Sequence, residues 1–583
     1  MSVDATGIPP LRNEAVLTSR VRTAGLCILA LAGLIESVYC RHTMQSDGIS
    51  YLDMGDAMMR GDWKMAINAY WSPLYPFLQG LALRILKPSA YSEFTVVHGV
   101  NFLIYLFALG CFDFLLREAV ASRRGREESE GTPGRLPPWA VMAVGYSVFL
   151  WSSLSLITMD RVTPDVLMAG FLYLAMGMVL QLWQRPESVS RFIVLGAVLG
   201  VGYLAKAPFF PLSFLILAIA WLLIGDWRRA VPRVLAAVLV FLAVSGPWFM
   251  ALSRAKGRFT FGDSAKSNYL MFVNGASPSW YFQKLGDAKG HYAHTARKIF
   301  DAPPIYEFAT PLKGTIPIWY DPSYWSDGAV PRVTIVRQLQ TIHHWVAAYL
   351  DMLFTTQASL LVGFIVLCFM PGRSLLVRQM TARWPVWFTG LAGLGMYAMV
   401  YVDLRYIAAF FTLFWVGLYA GLVMPPGRDG KRLVSLITLA VAIAIAGPTL
   451  SAAAGHFSEA VKGRPHTQWQ ASQDLERMGV APGDRVARIG GLFGVDWARL
   501  SRVTVVAEVP RANAREFWCG SRKLQQQVIE TFRRLGVTAI VAEQVPSDGV
   551  FEPGPEWRRL GDGRFYGMRL SPQGKEENQG EPR

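Results

Sequence analysis

The stretch Ser46-Asp47-Gly48-Ile49-Ser50-Tyr51, with its continuation Trp71-Ser72-Pro73-Leu74-Tyr75-Pro76, decides how the rest of the chain reads. The run from Ala24 to Cys40 just before it is apolar and long enough to cross a bilayer, so Asp47 falls where a first membrane helix emerges into water. Arg12, Arg20 and Arg22 precede that run as in a secretory signal. No small-x-small cleavage pattern follows, and Tyr39 is bulky, so the helix is expected to be retained. Tyr51, Trp71 and the Pro-bounded turn put a stiff aromatic wall beside the carboxylate. A solvated loop aspartate needs no such wall, whereas a carboxylate that takes a proton from a hydroxyl at the membrane surface does.

Composition places the chain among polytopic membrane proteins. Of 583 residues 52% are hydrophobic and only 17% charged, too little charged surface for a soluble protein of this length. Nineteen tryptophans suit interfacial belts. The formal charge of +15 would suggest nucleic acid in a soluble protein, but here the basic residues gather between apolar runs, where they orient helices; no nucleic-acid partner is expected. The five cysteines show no CxxC spacing and imply no disulfide framework.

Apolar runs predict spans near 24–40, 94–116, 139–157, 166–182, 192–204, 209–224, 234–252, 345–370, 386–402, 407–423 and 433–450, about eleven helices, with Leu74 to Leu86 as an interfacial stretch. With the arm 1–23 in the cytoplasm, the inner loops hold Arg117, Arg123, Arg124 and Arg126, then Arg185 and Arg191, Arg228, Arg229 and Arg233, Arg373, Arg378 and Arg383, and Arg428, Lys431 and Arg432. Every inner loop is thus basic, as the positive-inside rule requires. The expected organisation is a membrane domain over 24–450 with outer loops 41–92 and 253–344, an outer α/β domain over 451–570, and a disordered tail over 571–583. Strands are expected at 485–489, 503–508 and 538–542, and one long helix over 515–535. Asp53 and Asp56 are expected on a solvated face of a helix that starts near Gly48.

Three further outer connections carry charge. Asp165, after Val162-Thr163-Pro164, opens a span, where an acid also simply favours the helix dipole. Lys206, in Gly202-Tyr203-Leu204-Ala205-Lys206-Ala207-Pro208, sits against the inside bias of basic residues; a snorkelling ammonium is the plain alternative to a phosphate ligand. Arg405, in Asp403-Leu404-Arg405-Tyr406, can bind phosphate with two parallel donors, which a lysine cannot. His291-Tyr292-Ala293-His294 and His343-His344 lack a third ligand, so no metal is assigned to them. No Walker or dinucleotide glycine motif stands at a strand-to-helix turn, so no nucleotide cofactor is expected.

Taken together, Asp47-Gly48-Ile49-Ser50-Tyr51, the Trp71 to Pro76 turn, Asp165, the Lys206 turn and Arg405-Tyr406 resemble the GT-C glycosyltransferases, in the branch of protein O-mannosyltransferases and bacterial aminoarabinose transferases. The resemblance covers about Ala24 to Val423. It implies a GT-C-like multi-pass fold in a bacterial inner (plasma) membrane, surrounded by membrane lipid, with a polyprenyl-phosphate sugar as donor and an extracytoplasmic glycan, lipid or protein as acceptor. It further implies Asp47 as general base, Lys206 and Arg405 on the donor phosphate, and Asp165 orienting the acceptor or a divalent metal, with Tyr51 in the substrate wall. Gly48 stands where many relatives carry a second acid, so no two-carboxylate role follows at that spot. The rival expectation is a lipid or solute transporter, which would place ionisable residues at mid-membrane and show repeated halves with broken helices; the charges singled out sit at helix ends instead.

Overall fold

The computed structural model describes residues 10–121, 134–277, 283–308, 311–371, 375–425, 427–463, 465–491, 493–543, 545 and 553–570. The expectations for the tail after Leu570, for residues 1–9, and for Arg123, Arg124, Arg126 and Arg373 lie outside the described residues.

The chain is a multi-pass helical membrane protein with a mixed sheet formed largely by its C-terminal part. Among the described residues, six helices are long and apolar enough to cross a bilayer: Asn13–Tyr39, Glu93–Val120, Pro138–Ile157, Asp165–Gln184, Trp227–Lys256, and the last one, whose described stretch is Gly427–Lys462. The predicted span over 345–370 is instead a broken one. Ile335–Phe354 and Ala358–Phe369 meet at 74°. The break falls where the sequence is polar: Thr355 and Thr356 return their hydroxyls to the carbonyls of Asp351 and Met352, and Gln357 turns inward to accept from Trp415 Nε1 at 2.6 Å. Four other predicted spans lie on Val189–Ala205, Phe209–Ile224, Trp384–Ala398 and Leu404–Tyr419, helices of 15 to 17 residues. The expected count of eleven therefore rests in part on helices shorter than the ~20 residues of a full crossing.

Helix packing relies on small residues, as it must where lipid removes the hydrophobic drive between helices. Gly196 lies so close to the helix Trp227–Lys256 that a Cβ there would come within 2.2 Å of the Ala237 carbonyl. The connections 158–164, 206–208 and 399–403 close one end of the bundle, and Arg185, Arg191, Arg228 and Arg383 sit at the opposite ends of the helices they join.

At the first end lies the short helix Ser46–Arg60, whose two faces organise the functional part of the molecule. At 100° per residue, Asp47, Tyr51 and Met54 fall on one stripe and Ile49, Asp53 and Asp56 on the opposite one. It packs against the helix Leu74–Leu86 through Gly55 and Gly80, where a Cβ on Gly55 would stand 2.5 Å from the Pro76 carbonyl.

The second stripe faces the sheet. Its strands are β1 (Lys289–Gly290), β2 (Arg297–Asp301), β3 (Pro304–Glu307), β4 (Ala329–Val330), β5 (Arg485–Ile489), β6 (Thr504–Val509), β7 (Ala539–Ala542), β8 (Arg558–Leu560) and β9 (Phe565–Arg569). β1 and β4 form a separate ribbon, and the others form one sheet in the order β2-β3-β6-β5-β7-β9-β8, with β5 parallel to both β6 and β7. The three predicted strands are thus its centre. The sheet is not confined to the C-terminal part, because the hairpin β2-β3 from the loop 253–344 adds to the open edge of β6 and protects it. The helix Gly427–Lys462 likewise runs past residue 450. The predicted helix over 515–535 is divided into Ala514–Trp518 and Arg522–Arg534, with Ser521 capping the second by accepting from Leu524 N.

Alternation sets the two faces of the sheet. Ala487, Ile489 and Ile540 pack with Phe517, Val528 and Phe532; Val486, Val505 and Val541 pack with Phe308, Ile316, Trp325 and Ile49. Ile49, two residues from Asp47, is therefore part of the core of the sheet domain. Asp53, 8% exposed, is buried beside it, and Asp56, 31% exposed, shares its cation, which corrects their assignment to a solvated face. Arg499, 4% exposed in its side chain, pairs with Asp53 at 2.8 Å, Asp56 at 2.6 Å and Glu93 at 2.8 Å. Asp53 also accepts from the Thr315 amide and hydroxyl at 2.6 and 3.0 Å.

Candidate active site

Asp47 lies in the first turn of Ser46–Arg60, where the helix dipole favours its charge. Both of its oxygens are engaged. Oδ2 accepts from Arg405 Nη2 at 3.1 Å, and Oδ1 accepts from Trp319 Nε1 at 2.9 Å. Arg405 follows Asp403, which starts its helix by accepting from the Arg405 amide.

Asp165, at the start of its span, is buried to 2% of its side chain and ion-paired with Lys206. Thr163 donates to its other oxygen at 2.7 Å, and Arg405 Nη1 approaches that oxygen to 4.0 Å. The four charges that the sequence scatters over 359 positions thus form one alternating row: Asp47, Arg405, Asp165, Lys206. Lys206 lies over the Tyr406 ring at 3.9 Å, and the Arg405 guanidinium lies 4.9 Å from the same ring, so Tyr406 separates the two cations while attracting both. Burial pushes the Lys206 ammonium down, and the neighbouring Asp165 works against that fall. Arg405 Nε is buried and makes no hydrogen bond among the described residues; Asp403 Oδ2 lies 3.8 Å from it. A buried donor left in this way is a place for an acceptor atom.

Two cavities meet at this row. A smaller one of about 70 Å³ is bounded by Asp165, Lys206, Pro208, Tyr397 and Ser264. A wider one of about 360 Å³ runs past Trp319, Met271, Phe272 and Tyr401. Both are lined by Asp47, Arg405, Tyr406, Tyr70, Trp71 and Asn268. Tyr51 lines the smaller cavity and packs edge-on to Tyr75 at 5.1 Å; burial, reinforced by the charge of Asp47, holds its phenol well above the usual range, so it serves as a neutral wall.

All five predicted residues, Asp47, Tyr51, Asp165, Lys206 and Arg405, line the smaller cavity. Sequence reasoning missed Trp319 and Asn268 as site residues. Trp319 was visible only as part of the aromatic Pro317-Ile318-Trp319-Tyr320-Asp321-Pro322 segment in a loop too long to be a bare connector; Asn268 gave no signal at all. A divalent metal finds no ligand set here: among the described residues no group of three His, Cys, Asp or Glu side chains is arranged to hold a metal ion, and Asp47 and Asp165 are each faced by cations. No step is therefore routed through a metal.

The chain matches no family profile and no curated protein. Solved structures similar to it include ArnT from Cupriavidus metallidurans in the apo state, with 13% identity and a TM-score of 0.48 over 93% of this chain and 96% of that one. ArnT from the same organism bound to undecaprenyl phosphate gives 15% and 0.41 over 93% and 97%. The archaeal oligosaccharyltransferase AglB from Archaeoglobus fulgidus, in complex with an inhibitory peptide and a dolichol-phosphate, gives 13% and 0.46 over 90% and 69%. The reading of the site rests on this chain's own residues.

Proposed function

We propose that the protein is a membrane glycosyltransferase that moves one sugar from a polyprenyl-phosphate carrier to a hydroxyl-bearing acceptor on the outer side of the cytoplasmic membrane. The observation that carries this reading is the meeting of two cavities at Asp47, one bounded by the cations Lys206 and Arg405 and the other by aromatic rings. A two-substrate transfer needs such a junction. The phosphate enters the smaller cavity, where Arg405 Nε and the Lys206 ammonium offer donors; the acceptor enters the wider one.

As phosphate draws Arg405 towards itself, Asp47 Oδ2 loses its partner and faces the acceptor hydroxyl. Asp47 takes that proton as the acceptor oxygen bonds to the anomeric carbon. The bond from that carbon to the phosphate oxygen breaks, its electron pair leaves with the polyprenyl phosphate, and the two cations hold the charge that develops. Displacement opposite the leaving group inverts the anomeric centre. Asp165 keeps Lys206 and Arg405 in register for the phosphate. The outward orientation is supported by the basic residues at the far ends of the helices, on the positive-inside rule.

Mass analysis of envelope glycans and polyprenyl-phosphate sugars from a deletion strain tests this directly. The reading requires loss of one sugar from an envelope component and accumulation of the matching lipid-linked sugar. Unchanged profiles of both would contradict it.

A further inference from the structure

Asp47 Oδ1 accepts from a residue 272 positions away, the indole of Trp319 in the loop between the membrane domain and the sheet. We propose that Trp319 is the positioning residue of the base, and that the sheet domain holds it there through Phe493; this rests on Asp47 being that base.

An indole N–H only donates and carries no charge. It therefore orients the carboxylate and favours its ionised form without neutralising it. Arg405, in contrast, is the partner that a phosphate would draw away. Once it moves, the Trp319 hydrogen bond is what keeps the carboxylate from rotating about its own axis, so that Oδ2 stays turned to the acceptor.

The structure fixes Trp319 from three directions. Its carbonyl accepts from Ser50 Oγ at 3.0 Å, on the helix that carries Asp47. The next carbonyl, of Tyr320, accepts from Asn68 Nδ2 at 2.7 Å and Trp71 Nε1 at 3.1 Å. The indole ring packs edge-on against Trp71 at 6.4 Å and against Phe493 at 5.9 Å. Phe493 lies on the turn that leaves the carboxyl end of β5, where Gly490, Gly491 and Gly494 have φ of 118°, 106° and 85°. A side chain is strained at those angles, so the glycines allow the turn to project its aromatic tip from the sheet. Phe493 is 52% exposed, and packing in the core of the sheet domain does not account for it. The C-terminal part of the chain thereby reaches Asp47 by two routes: through Ile49 and Asp53 on the back of the helix, and through Phe493 and Trp319 on the front.

The test compares purified, folded Trp319→Phe, Phe493→Ala, Asp47→Asn and wild type in transfer from a polyprenyl-phosphate sugar across a pH series, with binding of the lipid-linked donor measured separately. Trp319→Phe keeps an aromatic ring at the position but loses the donor and the fused five-membered ring, so the pH profile rather than kcat alone carries the test. Its kcat should fall roughly 10- to 100-fold, the range for a hydrogen bond to a charged group, with donor affinity unchanged. The acid limb of its pH profile should move upward, because the carboxylate loses a hydrogen bond made to its ionised form. Phe493→Ala should move both in the same direction by less. A merely structural tryptophan would not move the acid limb. If Asp47→Asn is inactive while Trp319→Phe has wild-type kcat and acid limb, the positioning role is wrong and the base stands. If Asp47→Asn is fully active, the base itself is wrong.

Discussion

Arg405 Nη2 donates to Asp47 Oδ2 at 3.1 Å, an ion pair between residues 358 positions apart, each less than one-fifth exposed in its side chain. The same guanidinium reaches towards Asp165. One planar fork therefore links Asp47, the proposed base, to the Asp165–Lys206 pair, and a carboxylate held by a cation is not free to accept a proton. In the proposed mechanism the phosphate-bearing donor therefore binds first and releases Asp47.

Arg405→Lys keeps the charge and removes the fork. Transfer should fall roughly 10-fold or more, because one ammonium cannot span Asp47, Asp165 and a phosphate together. Lys206→Ala should weaken donor binding. Steady-state transfer together with donor titration checks both, and full activity in the two variants would remove these cations from the site.

Arg499 joins the C-terminal part of the chain to the helices Ser46–Arg60 and Glu93–Val120, with Arg502 beside it on Glu93. Arg499→Met leaves Asp53 and Asp56 without their cation and Glu93 with Arg502 alone, so the folded protein should lose about 3 kcal/mol or more. Arg477→Met, at an exposed pair with Asp474, should change stability by no more than about 0.5 kcal/mol. Thermal unfolding of both in one detergent makes the comparison, and equal unfolding temperatures would contradict the clamp.

Asp496 is 5% exposed, and its Oδ1 makes no hydrogen bond among the described residues; burial pushes its carboxyl up to about 7, against the pull of Arg488. The folded state then binds a proton that the unfolded chain has released between pH ~4 and ~7. This group's contribution is present below the unfolded value and lost as pH rises through the folded one. Asp496→Asn should remove that loss, so the gap in unfolding temperature between variant and wild type should widen in the variant's favour from pH 5 to pH 8. A constant gap would show that Asp496 ionises normally.

A reporter fused after Gly463, where the long helix from Gly427 has ended, should be active only outside the cytoplasm. Cytoplasmic activity of that fusion would invert the site's orientation.

The sequence carried the membrane part and the row of charges because each lies at a helix end beside a Pro or aromatic signal, and such ends are set by local chemistry. Asp165 behind Pro164 and Arg405 behind Asp403 are of this kind. What stayed illegible is long-range. Nothing near Trp319 says that its indole reaches Asp47, and nothing near Pro304–Glu307 says that this strand joins β6, some 200 positions later. The spacing of Ile49, Asp53 and Asp56 did contain their face of the helix. Its partner, Arg499, lies in the other domain, so the stripe read as solvated. The broken span at Thr355 was obscured because apolar runs on both sides of a polar triplet look like one helix in a hydropathy window.

The central claim is that Asp47 accepts the proton of the acceptor hydroxyl. The most direct test is transfer from a polyprenyl-phosphate sugar by equal amounts of folded wild type, Asp47→Asn and Asp301→Asn. Asp301 is the control because its side chain is 94% exposed and pairs, among the described residues, with nearby Lys298, whereas Asp56 belongs to the Arg499 clamp. Asp47→Asn keeps size and polarity but cannot take a proton, so its turnover should drop roughly 100-fold to 10,000-fold while donor binding survives and Asp301→Asn matches wild type. Wild-type turnover in Asp47→Asn would contradict the account.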